Sequence, residues 1–223
     1  MTDDNELILK PIKKEIETLV KVHEEEWKFA TDIIYNECLQ FAKKINLCII
    51  DERDIKGPIR TYLLIWGNMG RVLNTKRRSG WDSDLLGRFR DNCKDLNKYK
   101  SLKIETTNLN DSIWKKQINK HYEMFNAIIA STATGKLLHL LFPDFFPLWD
   151  SIIRKQIFRE LGNKEKKEGK KITPKSYFKF MKGVSEFIID YNEIIIELSE
   201  IYQRPKLKIV DEYFLQKIKK MNR

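Results

Sequence analysis

The stretch "TGKLLHLLFPDFFPLWDSIIRK", from Thr134 to Lys155, places one lysine at the start of an apolar run and one aspartate beyond its end. The nearly continuous apolar residues after Lys136 predict a helix that is buried almost all round. Pro143 and Pro147 then interrupt the chain. Asp150 falls just before the next apolar-periodic segment, where a carboxylate normally caps backbone N–H groups.

Residues 131–135, "STATG", predict a short hairpin, so that Lys136 lies in the first turn of the buried helix. Burial and the positive end of the helix dipole both favour the neutral amine, which is the nucleophilic form of lysine. The chain between Lys136 and Asp150 is long enough to fold back and bring the two together. The ordinary alternatives are a partly exposed first-turn lysine and a plain N-cap aspartate.

This constellation resembles the helix-hairpin-helix DNA glycosylase superfamily, the group that includes endonuclease III and the oxoguanine glycosylases. In that family a hairpin of pattern L-P-G-x-G-x-K-T-A is followed, one helix later, by V-D-T-x-V-x-R and a second arginine. The lysine position falls on Lys136 and the aspartate on Asp150. Lys155 and Arg159 take the two basic positions.

In the hairpin itself, Thr132 and Thr134 replace the two glycines of the family pattern, and Gly135 directly precedes the lysine. The resemblance implies an all-α fold in which these residues approach a DNA phosphate. It also implies that Lys136 attacks C1′ of a flipped nucleoside and forms a Schiff base, with Asp150 activating the lysine and stabilising positive charge on the sugar.

A flipped base needs a pocket with aromatic faces and polar groups. The candidates are Trp66, Trp81, Phe145, Phe146 and Trp149, with His139 as a candidate proton shuttle. The alternative is that these side chains are core residues, as aromatics in helical proteins usually are, and that His139 is satisfied by a backbone carbonyl.

The 42 lysines and arginines exceed the 32 acidic residues, which gives a net charge of +10 and favours an anionic partner, here duplex DNA. Besides Thr132, Thr134 and Gly135, the predicted phosphate contacts are Lys155, Arg159, Lys166, Lys167, Lys170, Lys171, Arg77 and Arg78.

Apolar residues at helical spacing recur along the 223-residue chain and predict a single all-α domain over 1–223. An alternative division has two helical lobes, 57–150 and 1–56 plus 151–223. Gly57 and Pro58 predict an element boundary, and only residues 101–109, "SLKIETTNL", have a strand-like pattern.

Three cysteines without CxxC spacing predict small buried or half-buried thiols, with neither a disulfide framework nor a metal site, and their number excludes a four-cysteine iron–sulfur cluster. No cofactor is expected. The N-terminal residues lack the features of a signal peptide and no window is apolar enough for a membrane span, so we expect an intracellular monomer, nucleoid-associated if it binds DNA.

The leading hypothesis is a base-excision DNA repair glycosylase with AP lyase activity. One alternative is a non-catalytic helical nucleic-acid-binding protein that keeps a degenerate glycosylase fold. Another is a helical interaction protein whose positive charge serves solubility alone; binding to DNA that responds to salt would argue against it.

Overall fold

The computed structural model describes residues 11–26, 30–75, 79–150, 152–153 and 173–221. Within these ranges the chain is helical and contains no β-strand, which confirms the predicted all-α fold and makes residues 101–109 a turn-rich connection. The described α-helices are α1 (Lys13–Glu26), α2 (Ala30–Lys44), α3 (Glu52–Asp54), α4 (Gly70–Leu73), α5 (Trp81–Asn97), α6 (Ser112–Ile129), α7 (Ser131–Leu141), α8 (Pro174–Asp190), α9 (Asn192–Ile201) and α10 (Lys206–Met221).

The helix that begins with α3 continues to Trp66 through two π-helical turns, Ile55–Ile59 and Tyr62–Trp66. The predicted boundary at Gly57 and Pro58 is therefore wrong. Proline has no N–H to donate, and a shift of the hydrogen-bond register allows the helix to pass through it. The second π turn ends where the Gly67 N–H donates to the carbonyl of Tyr62 at 2.7 Å.

Helix α7 lies at the centre of the core. Every residue from Ala133 to Leu141 is buried, and α7 packs against α6, α2 and the second π turn. The prediction of a helix buried almost all round is confirmed. A helix with so many apolar side chains on all faces has its lowest free energy when other elements surround it.

The start of α7 differs from the prediction. Residues 131–135 belong to the helix, and Ala130 alone separates α7 from α6. Ala130 has a φ of 69° and a ψ of 160°, a backbone region that is almost restricted to glycine. The chain makes its sharp change of direction at Ala130 and then stays helical through Thr132 and Thr134.

Helix α10 packs against α1 and α9. One hydrophobic core cluster includes buried residues from Ile16 of α1 to Ile218 of α10. The residues from Leu207 to Phe214 are all buried, so this helix is enclosed over two turns.

The cysteine prediction needs correction, because Cys48 and Cys93 form a disulfide with their Cα atoms 5.0 Å apart. Cys38 is a free, buried thiol, as expected. The two paired residues are 45 positions apart in sequence, and they meet because the segment after α2 folds onto the C-terminal half of α5.

The strain at Ala130 can be measured. Ala130→Gly should raise the free energy of unfolding by about 1 kcal/mol, because relief of the unfavourable φ exceeds the entropic cost of glycine. The matched control is Ala127→Gly, an exposed position in α6, which should lower the free energy of unfolding by about 1 kcal/mol. Urea denaturation of both variants measures the two changes in the free energy of unfolding. Changes of the same sign in the two variants would contradict backbone strain at Ala130.

Candidate active site

Lys136 projects from the second turn of α7 into a nearly closed environment and is 8% exposed. Its Nζ donates to the carbonyl oxygen of Gly67 at 2.8 Å and lies 3.7 Å from Oδ2 of Asp150. The same nitrogen is 5.5 Å from the ring centroid of Trp66, so a protonated amine would face an aromatic ring. The lysine therefore meets a carbonyl, a carboxylate and an indole.

Glycine is required at position 67, whose carbonyl accepts the hydrogen bond from Lys136. A Cβ atom at Gly67 would stand 2.7 Å from the carbonyl oxygen of Leu63, closer than real Cβ contacts. Only glycine lets the second π turn end here and present its carbonyl to Lys136. A π turn next to a candidate site agrees with the frequent occurrence of such turns at functional positions.

Asp150 has two roles, one for each carboxylate oxygen. Oδ1 accepts the N–H of Ile152 at 2.6 Å, which is the capping interaction that its position predicts. Oδ2 faces Lys136. The hydrogen bond to the Ile152 N–H fixes the orientation of the carboxylate, so the backbone that follows Asp150 holds Oδ2 near Lys136.

The pKa of Lys136 is lowered, chiefly because burial disfavours the ammonium ion. Asp150 and Asp211 oppose this effect, and Lys208 adds to it. The helix dipole contributes less than the sequence suggested, because α7 begins at Ser131 and the dipole acts mainly within the first turn. Burial is therefore what brings this lysine towards its nucleophilic form.

A second cationic group, which the sequence analysis missed, lies behind Trp66. Lys208 of α10 is buried, and its Nζ is 5.4 Å from the Trp66 ring centroid and 5.6 Å from that of Tyr35. Asp211 and Glu212 approach this Nζ to 3.2 and 3.3 Å. The Trp66 ring thus lies within 6 Å of two lysines, each accompanied by a carboxylate.

Burial raises the pKa of Asp211 to about 6, with Lys208 opposing the shift and Asp150 adding to it. Glu212 also accepts from Arg204, whose guanidinium further binds Glu24 and Asp32. Arg204 thereby joins α1, α2 and α10. The sequence signal was the i, i+3, i+4 spacing of Lys208, Asp211 and Glu212 among apolar residues, but only packing shows that these charges point inward.

The base-pocket candidates separate into two groups. Trp66 is half-buried and adjoins Lys136, whereas Phe145, Phe146 and Trp149 are fully buried in the core. Trp149 packs against Phe180 with ring centroids 4.3 Å apart. Trp81 is buried at the start of α5, where Arg60 lies over its ring. Of the five aromatics, Trp66 alone is placed beside the amine of Lys136.

His139 is fully buried and is satisfied on both ring nitrogens. Nδ1 lies 2.8 Å from the carbonyl oxygen of Phe146, which can only accept, so Nδ1 carries the proton. The Tyr35 hydroxyl then donates to Nε2 at 2.8 Å. Burial lowers the pKa of His139 to about 3, so the imidazole is neutral at pH 7 and bridges Phe146 and Tyr35.

The predicted phosphate contacts in residues 132–135 face mostly inward. The hydroxyl of Thr134 donates to the carbonyl of Ala130 at 2.9 Å, and the side chain is buried. Gly135 is buried against Trp149, and Thr132 is half-buried. The physical reason is the helical conformation of this segment, in which the Thr134 N–H also donates to the Ala130 carbonyl, at 2.9 Å.

The other predicted contacts, Lys155, Arg159, Lys166, Lys167, Lys170, Lys171, Arg77 and Arg78, lie outside the residues that the structure describes. In the part of the chain that the structure describes, no helix is long and apolar enough to cross a membrane. In the same part, no group of three or more acidic, histidine or cysteine side chains is arranged to hold a metal ion.

Comparisons with known proteins add no relative: no family model, no curated protein and no solved structure matches this chain.

The close contact between Gly135 and Trp149, the residue that precedes Asp150, can be tested. A Cβ at Gly135 would stand 2.9 Å from Cβ of Trp149, so Gly135→Ala should displace Trp149 and lower the free energy of unfolding by about 1–3 kcal/mol. The matched control, Gly87→Ala within α5, meets no atom within 4 Å. It should raise stability by about 0.5–1 kcal/mol in the same urea titration.

The buried histidines predict acid sensitivity. His23, His121 and His139 have pKa values lowered to about 3, 4 and 3, mainly by burial, whereas in the unfolded chain they bind protons near pH 6.5. Below about pH 6.5 these histidines bind protons in the unfolded chain but not in the folded protein, which favours unfolding. The free energy of unfolding therefore falls from about pH 6.5 towards 3. The raised pKa of Asp211 opposes this loss below pH 6.

His139→Gln isolates one contribution. Between pH 5.5 and 4 the slope of unfolding free energy against pH should be smaller in the variant by about 1.4 kcal/mol per pH unit, the effect of one proton. Urea denaturation at several pH values measures the slope irrespective of the variant's absolute stability. Identical slopes in the two proteins would show that His139 titrates normally.

Proposed function

We propose that the protein is a DNA repair glycosylase that removes a damaged or mispaired base from duplex DNA and cuts the strand through a Schiff base on Lys136. The observation that carries this proposal is the 3.7 Å approach of the buried Lys136 amine to a carboxylate oxygen of Asp150. Burial lowers the pKa of Lys136, which is one way in which amine nucleophiles are activated, and the oriented carboxylate lies beside the amine.

The chemistry uses the amine as nucleophile. The nitrogen lone pair of Lys136 forms a bond to C1′ while the bond from C1′ to the base breaks and its electron pair leaves with the base, which takes up a proton. Loss of a proton from the nitrogen and opening of the sugar ring then give the imine. Removal of a C2′ proton expels the 3′ phosphate, and water finally hydrolyses the imine and releases Lys136.

Asp150 serves this reaction as a charge rather than as a pKa-lowering group. Its carboxylate raises the pKa of Lys136, against the larger effect of burial. Its contribution is to accept the proton that the amine loses and to stabilise positive charge developing on the sugar. The cap on Ile152 keeps the oxygen in position while the sugar charge develops.

Trp66 supplies the aromatic face nearest to the amine. Base flipping places an unstacked base in a pocket, where aromatic faces replace the lost stacking. Trp66 is half-buried and rests on Tyr62, with ring centroids 4.7 Å apart, so its orientation is fixed from behind.

One observation favours the non-catalytic alternative. The Lys136 amine already donates to the Gly67 carbonyl, a bond that would equally suit a lysine whose only task is to hold the π turn against α7. A nucleic-acid-binding protein without lyase chemistry would need the positive surface but would not need Asp150 beside the amine.

Borohydride trapping distinguishes the two functions. The protein is incubated with duplexes that carry an abasic site, oxoguanine, uracil or thymine glycol, and the imine is reduced to a stable adduct. We expect an adduct on at least one duplex, its complete loss in Lys136→Ala, and a reduction of about 10²-fold or more in Asp150→Asn.

The control is Lys43→Ala, which removes an exposed lysine of α2 and should trap as well as the wild type. Circular dichroism verifies that Lys136→Ala remains folded. An adduct that persists without Lys136 would assign the nucleophile elsewhere, and the absence of any adduct on all four duplexes would remove the lyase proposal.

A further inference from the structure

A groove of about 300 Å³ lies between the beginning of α6 and the exposed face of α8. Its polar lining consists of Asn110, Lys115, Lys175, Lys179, Lys182 and Glu186. We refer to these six residues as the basic groove. Four ammonium groups therefore face one carboxylate, in a concave surface whose lining includes none of the residues that contact Lys136.

The spacing of the α8 lysines concentrates their charge. Lys175, Lys179 and Lys182 follow one another at intervals of four and three residues, so they lie on one face of the helix. The opposite face carries Tyr177 and Phe180, which pack against Trp149. The core contacts thus fix the rotation of α8 and aim the three lysines into the groove.

The charges in the groove are only partly compensated. Within the part of the chain that the structure describes, neither Lys115 nor Lys175 forms an ion pair. Lys182 donates to the side-chain oxygen of Asn110 at 2.7 Å, a neutral partner that orients the ammonium group and leaves its charge in place. Like charges gathered in a concave surface raise the local potential and attract anions.

We propose that the basic groove binds the phosphate backbone of the same duplex whose damaged nucleotide reaches Lys136. This inference rests on the proposed function. The groove lies across α8 from Trp149, a distance of about one helix diameter, 10–12 Å, and Trp149 directly precedes Asp150. A specific protein–DNA interface buries about 1,000–2,500 Å², roughly 30–50 Å across, so one duplex can reach both places.

Lysines that contact only phosphate contribute affinity without sequence preference. Each such contact releases condensed counterions, so its loss reduces the slope of log K against log salt by about 0.9. The groove therefore predicts a defined change in salt dependence, which a change in folding or in general charge would not reproduce.

The test compares two triple variants of the full chain with equal loss of charge. Lys115→Gln/Lys175→Gln/Lys182→Gln alters the groove, and Lys14→Gln/Lys43→Gln/Lys94→Gln alters exposed positions on α1, α2 and α5. Fluorescence anisotropy with a duplex that carries a reduced abasic site measures affinity between 50 and 200 mM salt. We expect the groove variant to reduce the slope by about 2–3 and the control by less than about 0.5.

Equal slopes in the two triple variants would overturn the proposal, as would tighter binding of the wild type to anionic vesicles or to single-stranded RNA than to the duplex. Borohydride trapping separates this result from the proposed function. A borohydride adduct together with equal salt slopes would overturn DNA binding by the basic groove and leave the proposed lyase activity in place. A smaller salt slope in the groove variant alone, without any borohydride adduct, would support DNA binding by the basic groove and overturn the proposed lyase activity.

Discussion

The burial of α7 is the constraint on which the rest of the structure depends. Its apolar residues place it at the centre of the core, and with them three polar side chains leave water, those of Thr134, Lys136 and His139. A buried polar group without a hydrogen bond costs several kcal/mol, roughly 2–7 depending on the reference state. Each therefore has an internal partner: the Ala130 carbonyl for Thr134, the Gly67 carbonyl for Lys136, and the Phe146 carbonyl and Tyr35 hydroxyl for His139.

The buried charges of Lys208, in α10, and Arg204, just before it, impose a second constraint. Lys208 and Arg204 leave water only because carboxylates from α1, α2 and α10 itself surround them. Buried ion pairs of this kind add little net stability, but removal of one partner is costly, so they specify how the helices dock. Because Lys208 also faces the Trp66 ring, the docking of α10 supports the candidate active site from behind.

The sequence predicts the centre of this arrangement better than its edges. The continuous apolar run and the Lys136 and Asp150 pair could be predicted because burial and chain length are local properties. The start of α7 could not, because it depends on an unusual φ at Ala130 that no residue preference favours. The inward direction of Lys208 depends on the docking of α10, and the bond between Cys48 and Cys93 depends on a distant segment folding onto α5.

The hydrogen bonds of Lys136 bear on how a buried lysine can be both held and reactive. The Gly67 carbonyl accepts one N–H whether the amine is neutral or charged, so it positions the nitrogen in either state. A neutral amine then keeps one N–H and one lone pair, whereas the ammonium ion has two further protons, with a carboxylate oxygen of Asp150 3.7 Å from the nitrogen. Burial disfavours the second state, so anchoring by Gly67 leaves a lone pair available for attack.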